Sequence, residues 1–243
     1  MTSRFLFLLA LAASAAPAAF AQTAAMMPEG SHDTYIGALA TIGPRTEGSK
    51  QQVMLVVPNF SVNWSNGVFL EGLRAGVDLS NDPTLHYGPT LGLGRRAPRA
   101  DVPGSSASWS VDPGVYVRYA LAHNLQLSSS LDYGGGHDGR GLVMRLGASF
   151  RMPLTSHQAL QVYTGANLAD HAYMQSYFST RNYDAAAGLK NVYLGANWNI
   201  QLSNKFRMFS GVSLTRLADK PGLSPIVEER NGARVSVGVS YHY

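Results

Sequence analysis

The chain has 243 residues, with 19 lysines and arginines against 15 aspartates and glutamates, and no cysteine. Charged residues make up 14% of the chain, against roughly 25% in average soluble domains, which argues against an ordinary water-exposed surface. The absence of cysteine excludes disulfides and a lipid-modified cysteine, and the scattered basic residues form no stripe or motif that would favour nucleic-acid binding.

The N-terminal residues 1–21 predict a secretory signal peptide. A basic start leads into the apolar run Phe5–Leu11, and Ala19 and Ala21 form the small-x-small pattern that signal peptidase recognises. The apolar run is too short to cross about 30 Å of hydrocarbon, which argues against a membrane-spanning anchor. We therefore expect an exported protein that is cleaved before Gln22.

Residues 22–32 are predicted to form a flexible periplasmic lead, and residues 33–243 a single domain. Within that domain, short segments alternate apolar and polar residues with a period of two, as strands with one apolar face do. In chain order these segments are Val56–Trp64, Phe69–Leu79, Leu85–Leu93, Trp109–Leu121, Leu125–Tyr133, Leu142–Phe150, Leu160–Leu168, Val192–Ile200, Phe206–Leu217 and Val235–Tyr243. The sequence therefore predicts an all-β domain.

The alternation is clearest in the second half of the chain. In the segment Leu142–Phe150 every second residue is apolar, and Arg145 lies on the other, mostly polar face. The segments Val192–Ile200 and Val235–Tyr243 repeat the pattern almost without exception. Strands of this kind must either bury their apolar face in a core or turn it towards lipid.

Strand length and connection length favour the membrane over a soluble core. Most segments span about nine residues or more, which suits strands that cross a bilayer with ~9–11 residues, whereas strands of soluble proteins average ~5–6. Short turns such as 203–205 alternate with long loops such as 171–187, and aromatic residues lie near strand ends. We predict a transmembrane antiparallel up-and-down β-barrel, and an exported β-sandwich with long strands is the alternative.

The number of strands is predicted to be twelve, with ten as the alternative. The pattern delineates about eleven, but a single-chain bacterial barrel takes an even number, so that both termini face the periplasm. An extra turn is expected within the region Thr34–Asp78, where Pro44 and Pro58 interrupt the alternation. The glycines that could form this turn are Gly48, Gly67, Gly72 and Gly76.

Charged residues on the polar faces are predicted to line the barrel lumen. The candidates are Arg74, Arg118, Arg145, Arg151, Arg207, Asp112 and Asp132, with Arg234 and Asp78 at equivalent positions. Inside a narrow barrel such charges must pair or meet water, so the pattern fits either a sealed lumen built from ion pairs or an anion-selective path. Glu71 fits this register worst, because it falls on the apolar face of its segment.

The long loop His171–Ala187 is the main candidate for contact with a ligand or a partner. Its candidate contact residues are Tyr173, Met174, Gln175, Tyr177, Phe178 and Arg181. Loops longer than ~12–15 residues usually have a function or are disordered. Packing of this aromatic-rich loop over the mouth of the barrel as a lid is an equal alternative.

The sequence contains no motif for catalysis, cofactor binding or metal binding. His137-Asp138 and Asp170-His171 place a base beside an acid, but a nucleophile needs a base within hydrogen-bond reach and a third, orienting group. Seven histidines without a paired spacing do not predict a metal site. We therefore predict a protein that is not an enzyme and that has no cofactor.

Several segments resemble the successive signatures of one family. These segments are Tyr173–Phe178, Tyr183–Ala185 with Gly188–Val192, and Arg216–Asp219 with Ser224–Val227. In order and spacing they resemble the MltA-interacting protein/OmpV family of outer-membrane proteins. Upstream, Gly43–Ser49 and Val57–Phe60 resemble less specific early segments of that family, so the likeness covers nearly all of the mature chain. The chain departs from the family at Thr46, where tyrosine is usual, and at 101–105, where a Gly-Leu-Gly-Asp segment is usual.

The resemblance implies a location in the cell outer membrane, surrounded by lipid, more firmly than it implies an activity. It implies a non-catalytic envelope scaffold or structural protein whose partner is a periplasmic murein hydrolase or synthase. The alternatives are a small-solute or anion pore that uses the lumen and an adhesin that uses the long outer loops. The sequence does not predict an oligomeric state.

Overall fold

The computed structural model describes residues 27–96, 108–134 and 141–243. In these ranges twelve antiparallel strands form one sheet, and because the first strand pairs with the last, the sheet closes into a barrel. The strands are β1 (His32–Pro44), β2 (Gln52–Trp64), β3 (Val68–Glu71), β4 (Arg74–Val77), β5 (Leu85–Arg96), β6 (Ser108–Ala122), β7 (Leu125–Tyr133), β8 (Leu142–Thr155), β9 (Gln158–Ala169), β10 (Gly188–Gln201), β11 (Phe206–Leu217) and β12 (Asn231–His242). Two short helices, α1 (His171–Phe178) and α2 (Asp219–Gly222), lie in the connections. The predicted fold class and the predicted count of twelve strands are confirmed. The predicted signal peptide lies outside the described residues.

The outer surface of the barrel is apolar. Leu142, Met144 and Leu146 on β8 are each 38–40% exposed although they are large hydrophobic residues, and Val235 and its neighbours on β12 repeat this. The residues between them turn inward, where they meet the polar faces of neighbouring strands. An apolar outside and a polar inside are the arrangement of a barrel surrounded by lipid. Neither described helix is long and apolar enough to cross a membrane.

The extra turn that gives an even number of strands lies at Gly72 and Leu73. The sequence segment Phe69–Leu79, predicted as one strand, is instead a hairpin of β3 and β4, with four residues in each strand. Gly72 has φ +57°, a left-handed conformation that a glycine adopts without the steric cost of a Cβ. The single-strand prediction was wrong because the polar-apolar alternation continues across the turn, which is too short to interrupt it.

The two rims of the barrel differ in their connections. The start of β1 pairs with the end of β12, so both ends of the barrel domain lie at one rim, here called the terminal rim. Its connections are short, and residues 78–84 form the longest of them. The opposite rim, here called the outer rim, has longer described connections at 45–51, 170–187 and 218–230. This alternation is typical of outer-membrane barrels, whose termini face the periplasm.

Candidate functional site

The best-connected group of charges in the lumen is centred on Asp132 of β7. Its side chain is only 6% exposed, and one carboxylate oxygen lies 2.9 Å from an Nη of Arg74 on β4. The other oxygen pairs with Arg145 on β8 and accepts a hydrogen bond of 3.3 Å from Ser130. Strand pairing explains this arrangement, because Ser130 of β7 lies opposite Arg145 of β8 and all these positions face inward. One buried carboxylate thus pairs with two arginines, and because it carries a single negative charge, the three side chains together keep one positive charge.

A second ion pair joins Glu71 of β3 to Arg118 of β6, with 3.0 Å between the carboxylate and the guanidinium. The guanidinium also lies 5.1 Å from the ring centre of Tyr116, which packs edge-on against Phe69. Glu71 faces the lumen because it lies on the same face of β3 as the buried Phe69, so the apolar-face register expected for it from the sequence was wrong. The sequence pattern missed this pair because it did not locate the hairpin.

The other charged candidates lie on further strands of the barrel. Arg207 of β11 lies 4.3 Å from the ring centre of Tyr35, towards the terminal rim. Arg234 of β12 lies beside Gly43, where a Cβ would come within 2.9 Å of the arginine Nε. Asp112 pairs with Gly92 and Arg151 with Gln161 across their ladders, which places both on the inward faces.

An apolar patch also faces the lumen, which the sequence pattern did not predict. It consists of Leu39, Val57 and Phe209, all less than 10% exposed, with Leu55 packed against them. We call these four residues the lumen apolar patch. Leu39 and Val57 are direct neighbours across the β1–β2 ladder, and Phe209 fills the space beside Gly238 on β12. The interior of an outer-membrane barrel is usually polar, so this patch is an exception within it.

The long loop after β9 folds over the outer mouth as a cap. Helix α1 begins at His171, and the Asp170 carboxylate accepts a hydrogen bond of 2.9 Å from the Tyr173 backbone N–H, as a helix N-cap does. On its inner side Met174 is fully buried and Phe178 is 3% exposed. These two side chains pack on Val143, Ala169, Ala185 and Leu217 at the ends of the surrounding strands and loop.

The six loop residues proposed from the sequence as contacts therefore take different positions. Met174 and Phe178 are buried in the cap, and Tyr177 is partly buried against them. Gln175 donates a hydrogen bond of 3.0 Å to Asp184 within the same loop. Arg181 is exposed, and Tyr173 extends beneath the helix towards Lys190. Of the two alternatives, packing over the mouth describes the larger part of this loop.

Beneath the cap lies a buried ion pair. Lys190 of β10 is 8% exposed, and its ammonium lies 3.1 Å from the Glu47 carboxylate of the first outer loop and 3.4 Å from the Tyr173 hydroxyl. Asn191 donates a hydrogen bond of 3.0 Å to the same carboxylate. A bulge between Leu189 and Asn191 puts two consecutive side chains on the inward side, which a regular strand cannot do. The strict alternation used in reading the sequence could not reveal this pair.

Hydrogen bonds join the cap and the outer loops 45–51 and 218–230 to one another. The N–H groups of Glu228 and Glu229 both donate to the Gly48 carbonyl, at 2.8 and 3.0 Å, and the Lys50 N–H donates to the Glu228 carboxylate at 2.8 Å. The Ser224 hydroxyl donates to the Phe178 carbonyl, and the Tyr183 hydroxyl to the Lys220 carbonyl. Three connections of the outer rim therefore form one packed unit.

A small pocket of about 60 Å³, partly open to solvent, lies beside this unit at the outer end of the lumen. It is lined by Pro44, Thr46, Glu47, Gly48, Ser49, Ser213, Thr215, Leu217 and Arg230 to Arg234. Arg230 is paired with Asp219 at 3.1 Å and with the Gly222 carbonyl, so its position is fixed.

Among the described residues no cluster of three histidine, cysteine or acidic side chains could hold a metal ion. The carboxylate of Asp170 caps α1, which explains its position beside His171 without a catalytic role. The pair His137-Asp138 lies outside the described residues.

A family model described as "MltA-interacting protein MipA" matches residues 36–243. The chain belongs to the MipA family. The match includes all of the barrel from the fifth residue of β1 onwards, so the family resemblance proposed from the sequence is confirmed. No curated protein sequence matches the chain.

Solved structures show which fold this MipA-family chain shares. The NanC porin is 12% identical with a TM-score of 0.53, over 84% of this chain and 98% of that one. An outer-membrane channel of Pseudomonas putida F1 is 12% identical, over 89% and 97%, with a TM-score of 0.44. The outer-membrane channel DcaP of Acinetobacter baumannii is 8% identical, over 88% and 96%, with a TM-score of 0.43. The NanC likeness concerns the fold alone, and with the MipA family it points to the outer membrane.

The segments that carry the MipA-family resemblance meet in the cap. Tyr173–Phe178 is helix α1 without its first two residues, and Gly188–Val192 contains the bulge with Lys190. Ser224–Val227 lies in the loop that binds Phe178, and Gly43–Ser49 contains Glu47 and Gly48. Four segments that are far apart in the sequence thus build a single packed unit at the outer rim.

Proposed function

We propose that this MipA-family barrel is a non-catalytic scaffold or structural protein of the outer membrane, linked to the machinery that processes murein. The observation that carries the proposal is the cap, in which Met174 is fully buried and the Lys190–Glu47 pair closes the space below it. Deeper in the lumen, Asp132 and its two arginines cross the barrel. A barrel whose mouth and lumen are occupied by its own side chains is suited to holding a position in the membrane rather than to passing solutes.

The proposed partner is a periplasmic murein hydrolase or synthase, as the name of the MipA family suggests. Such a partner would meet the terminal rim, where the longest connection, residues 78–84, is held by side-chain hydrogen bonds. Asp82 accepts bonds of 2.8 Å from both the N–H and the hydroxyl of Thr84, and Asp78 accepts one of 3.1 Å from the Ser80 N–H. Because the other turns are shorter, the contact would be small and of the transient class, below about 1,200 Å².

Two measurements on the full-length protein test this proposal. In planar bilayers we expect no steady ohmic openings. In detergent we expect purified membrane-bound lytic transglycosylase to bind the protein, and we expect the charge reversal Asp82→Lys at the exposed Asp82 to raise the Kd. Arg181→Glu, on the exposed outer side, is the matched control and should leave binding unchanged. Steady openings, or binding insensitive to changes at the terminal rim, would contradict the scaffold role.

A pore for small solutes or anions is the second candidate. It is favoured by the likeness of the fold to the NanC porin and by the arginines on inward faces, such as Arg74, Arg118 and Arg145. A pore predicts single-channel conductance with a reversal potential shifted towards that of the anion in a salt gradient. An adhesin is less well supported, because the described outer loops are packed on one another instead of extending from the rim.

A further inference from the structure

In the ranges that the structure describes, the wall of the barrel is complete only in its half nearer the terminal rim. The hairpin of β3 and β4 has four residues in each strand, whereas its neighbours β2 and β5 have 13 and 12. β3 pairs with β2 only at Ser61–Asn63, and β4 pairs with β5 only at Thr90–Gly92. In the described part of the chain, β2 from Gln52 to Asn59 pairs with β1 and with no strand on its other side. Twelve of the described strands therefore surround the lumen between the terminal rim and the hairpin turn, and ten surround it between that turn and the outer rim.

The main-chain groups of β2 that face this opening can be identified from one hydrogen bond. The Phe60 carbonyl accepts a bond of 2.8 Å from the Gly72 N–H, so Phe60 directs its main chain towards the hairpin. Because alternate residues of a strand direct their main-chain groups to the same side, Met54, Val56 and Pro58 face the opening. No described residue bonds to these groups. Pro58 has no N–H, which removes one donor from the edge, as is usual for proline in edge strands.

The opening lies at the depth of the apolar band. Met54 and Val56 are 65% and 68% exposed, more than any other large hydrophobic residue within a strand. Across the β1–β2 ladder Met54 pairs with Ile42, which is itself 52% exposed on the same outward face. Hydrocarbon offers no hydrogen-bond partner for main-chain groups at such a depth. A ligand that enters the opening from the membrane would therefore combine polar groups with an apolar body.

The lumen apolar patch lies directly behind the opening. Leu55 and Val57 are on the same stretch of β2 as Met54 and Val56 but face inward, and Val57 contacts Leu39 and Phe209. The missing part of the hairpin leaves β2 and β5 about 14 Å apart, three strand spacings of ~4.8 Å. An apolar surface inside the barrel and an opening in the wall beside it are two separate features that favour the same kind of ligand.

We propose that the opening between β2 and β5 admits an amphipathic lipid of the outer leaflet. Its acyl chain lies against Leu55 and the rest of the lumen apolar patch, and its ester, amide or hydroxyl groups bond to the main chain of Met54 and Val56. A second copy of the chain does not fit the same edge, because antiparallel pairing of two β2 edges would invert one barrel in the membrane. The proposal does not depend on the scaffold function, since a lipid can bind whether or not solutes pass.

Tryptophan quenching by lipids with brominated acyl chains tests the proposal on the full-length protein. The background variant replaces Trp64, Trp109 and Trp198 with phenylalanine, and single tryptophans are then introduced by Leu55→Trp, Val56→Trp and Ser128→Trp. Position 56 faces lipid, and Ser128 on β7 faces the lumen behind a complete wall. In vesicles of dibrominated phosphatidylcholine we expect the tryptophan at 55 to be quenched within about twofold of that at 56, and several-fold more than that at 128.

Equal, weak quenching at 55 and 128 would overturn the proposal, because the wall would then shield both positions alike. Folding of each variant is checked by the heat-dependent gel mobility of barrels. If Leu55→Trp does not fold, Val53→Trp provides the same measurement, since Val53 lies two residues away on the same inward face. Planar-bilayer conductance of the same variants separates a failed lipid site from a failed scaffold role, because lipid access predicts no ion current.

Discussion

Lys190 of β10 and Glu47 of the first outer loop are 143 positions apart in the sequence and 3.1 Å apart in the barrel. Glu47 belongs to the first outer loop, and Lys190 contacts Tyr173 of the cap, which covers both residues. Breaking a buried ion pair leaves one charge without compensation, at a cost of about 3–5 kcal/mol for fully buried pairs. The pair therefore contributes to the order of the whole cap, and its removal should be felt at α1.

The first prediction concerns this pair. Glu47→Gln should lower the free energy of unfolding in urea by about 1–3 kcal/mol, less than for a fully buried pair because Glu47 is 20% exposed. The double variant Glu47→Gln with Lys190→Met should recover part of the loss. Removing the exposed pair instead, by Arg230→Met, should cost no more than about 1 kcal/mol. Equal costs for the two pairs would contradict a cap held by Lys190.

The second prediction concerns Asp132. Asp132→Asn should destabilise the barrel by about 3 kcal/mol, because Arg74 and Arg145 would keep their charges without a counter-ion. Replacing all three side chains with apolar residues of similar size should restore much of the stability. Ser130→Ala, which removes two long hydrogen bonds of 3.3 and 3.4 Å and no charge, is the control and should change little. Urea titration in detergent provides the measurement, and a neutral Asp132→Asn would show that water already screens these arginines.

The third prediction concerns the seal of the mouth. Met174→Ala should destabilise the closed cap by about 2–5 kcal/mol, since the side chain is fully buried and its removal leaves a cavity. Faster amide exchange in residues 171–187, with unchanged exchange in the strands, would report this local opening. Leu223→Ala is the matched control, because Leu223 is 63% exposed. If exchange rises equally in both variants, the cap is not packed on Met174.

The fourth prediction concerns the apolar exterior. Leu146→Arg places a charge near the middle of the outward face of β8 and should cost about 2–4 kcal/mol in lipid vesicles. Leu154→Arg, close to the end of the same strand, should cost only about 0–1 kcal/mol because the charge can reach water. Folding into vesicles, followed against urea, measures both. The absence of this depth dependence would argue against a lipid environment for the apolar band.

The fifth prediction concerns pH at the terminal rim. Hydrogen bonds from the Thr84 N–H and hydroxyl lower the pKa of Asp82 below its ordinary value. A carboxyl whose pKa is lowered by folding stabilises the turn at pH values above its unfolded pKa of about 3.9, and this contribution is lost as pH falls through the folded pKa. Relative to an unfolded chain at the same pH, amide exchange of Thr84 should therefore accelerate below about pH 4. Asp82→Asn keeps an acceptor without titrating, so its exchange should show no such acceleration.

Reading the sequence led to the barrel because a strand with one apolar face repeats a local pattern of two residues. The segments around Leu142–Phe150 and Val235–Tyr243 show that pattern without reference to any other part of the chain, and the family motifs are likewise local. The turn between β3 and β4 was predicted only to lie somewhere within Thr34–Asp78, because the two-residue turn at Gly72 leaves the alternation unbroken. The position of Glu71 was wrong for the same reason.

What only the tertiary structure decided depends on contacts between distant segments. The pairing of Lys190 with Glu47 requires a bulge on β10, the first outer loop and the cap together, and no period in the sequence encodes that meeting. The opening beside β2 exists because β3 and β4 are shorter than β2 and β5. Only the pairing of these four strands shows which part of β2 lacks a neighbour. A single strand determines which of its faces meets lipid, whereas the closure of the ring determines what its other face and its edges meet.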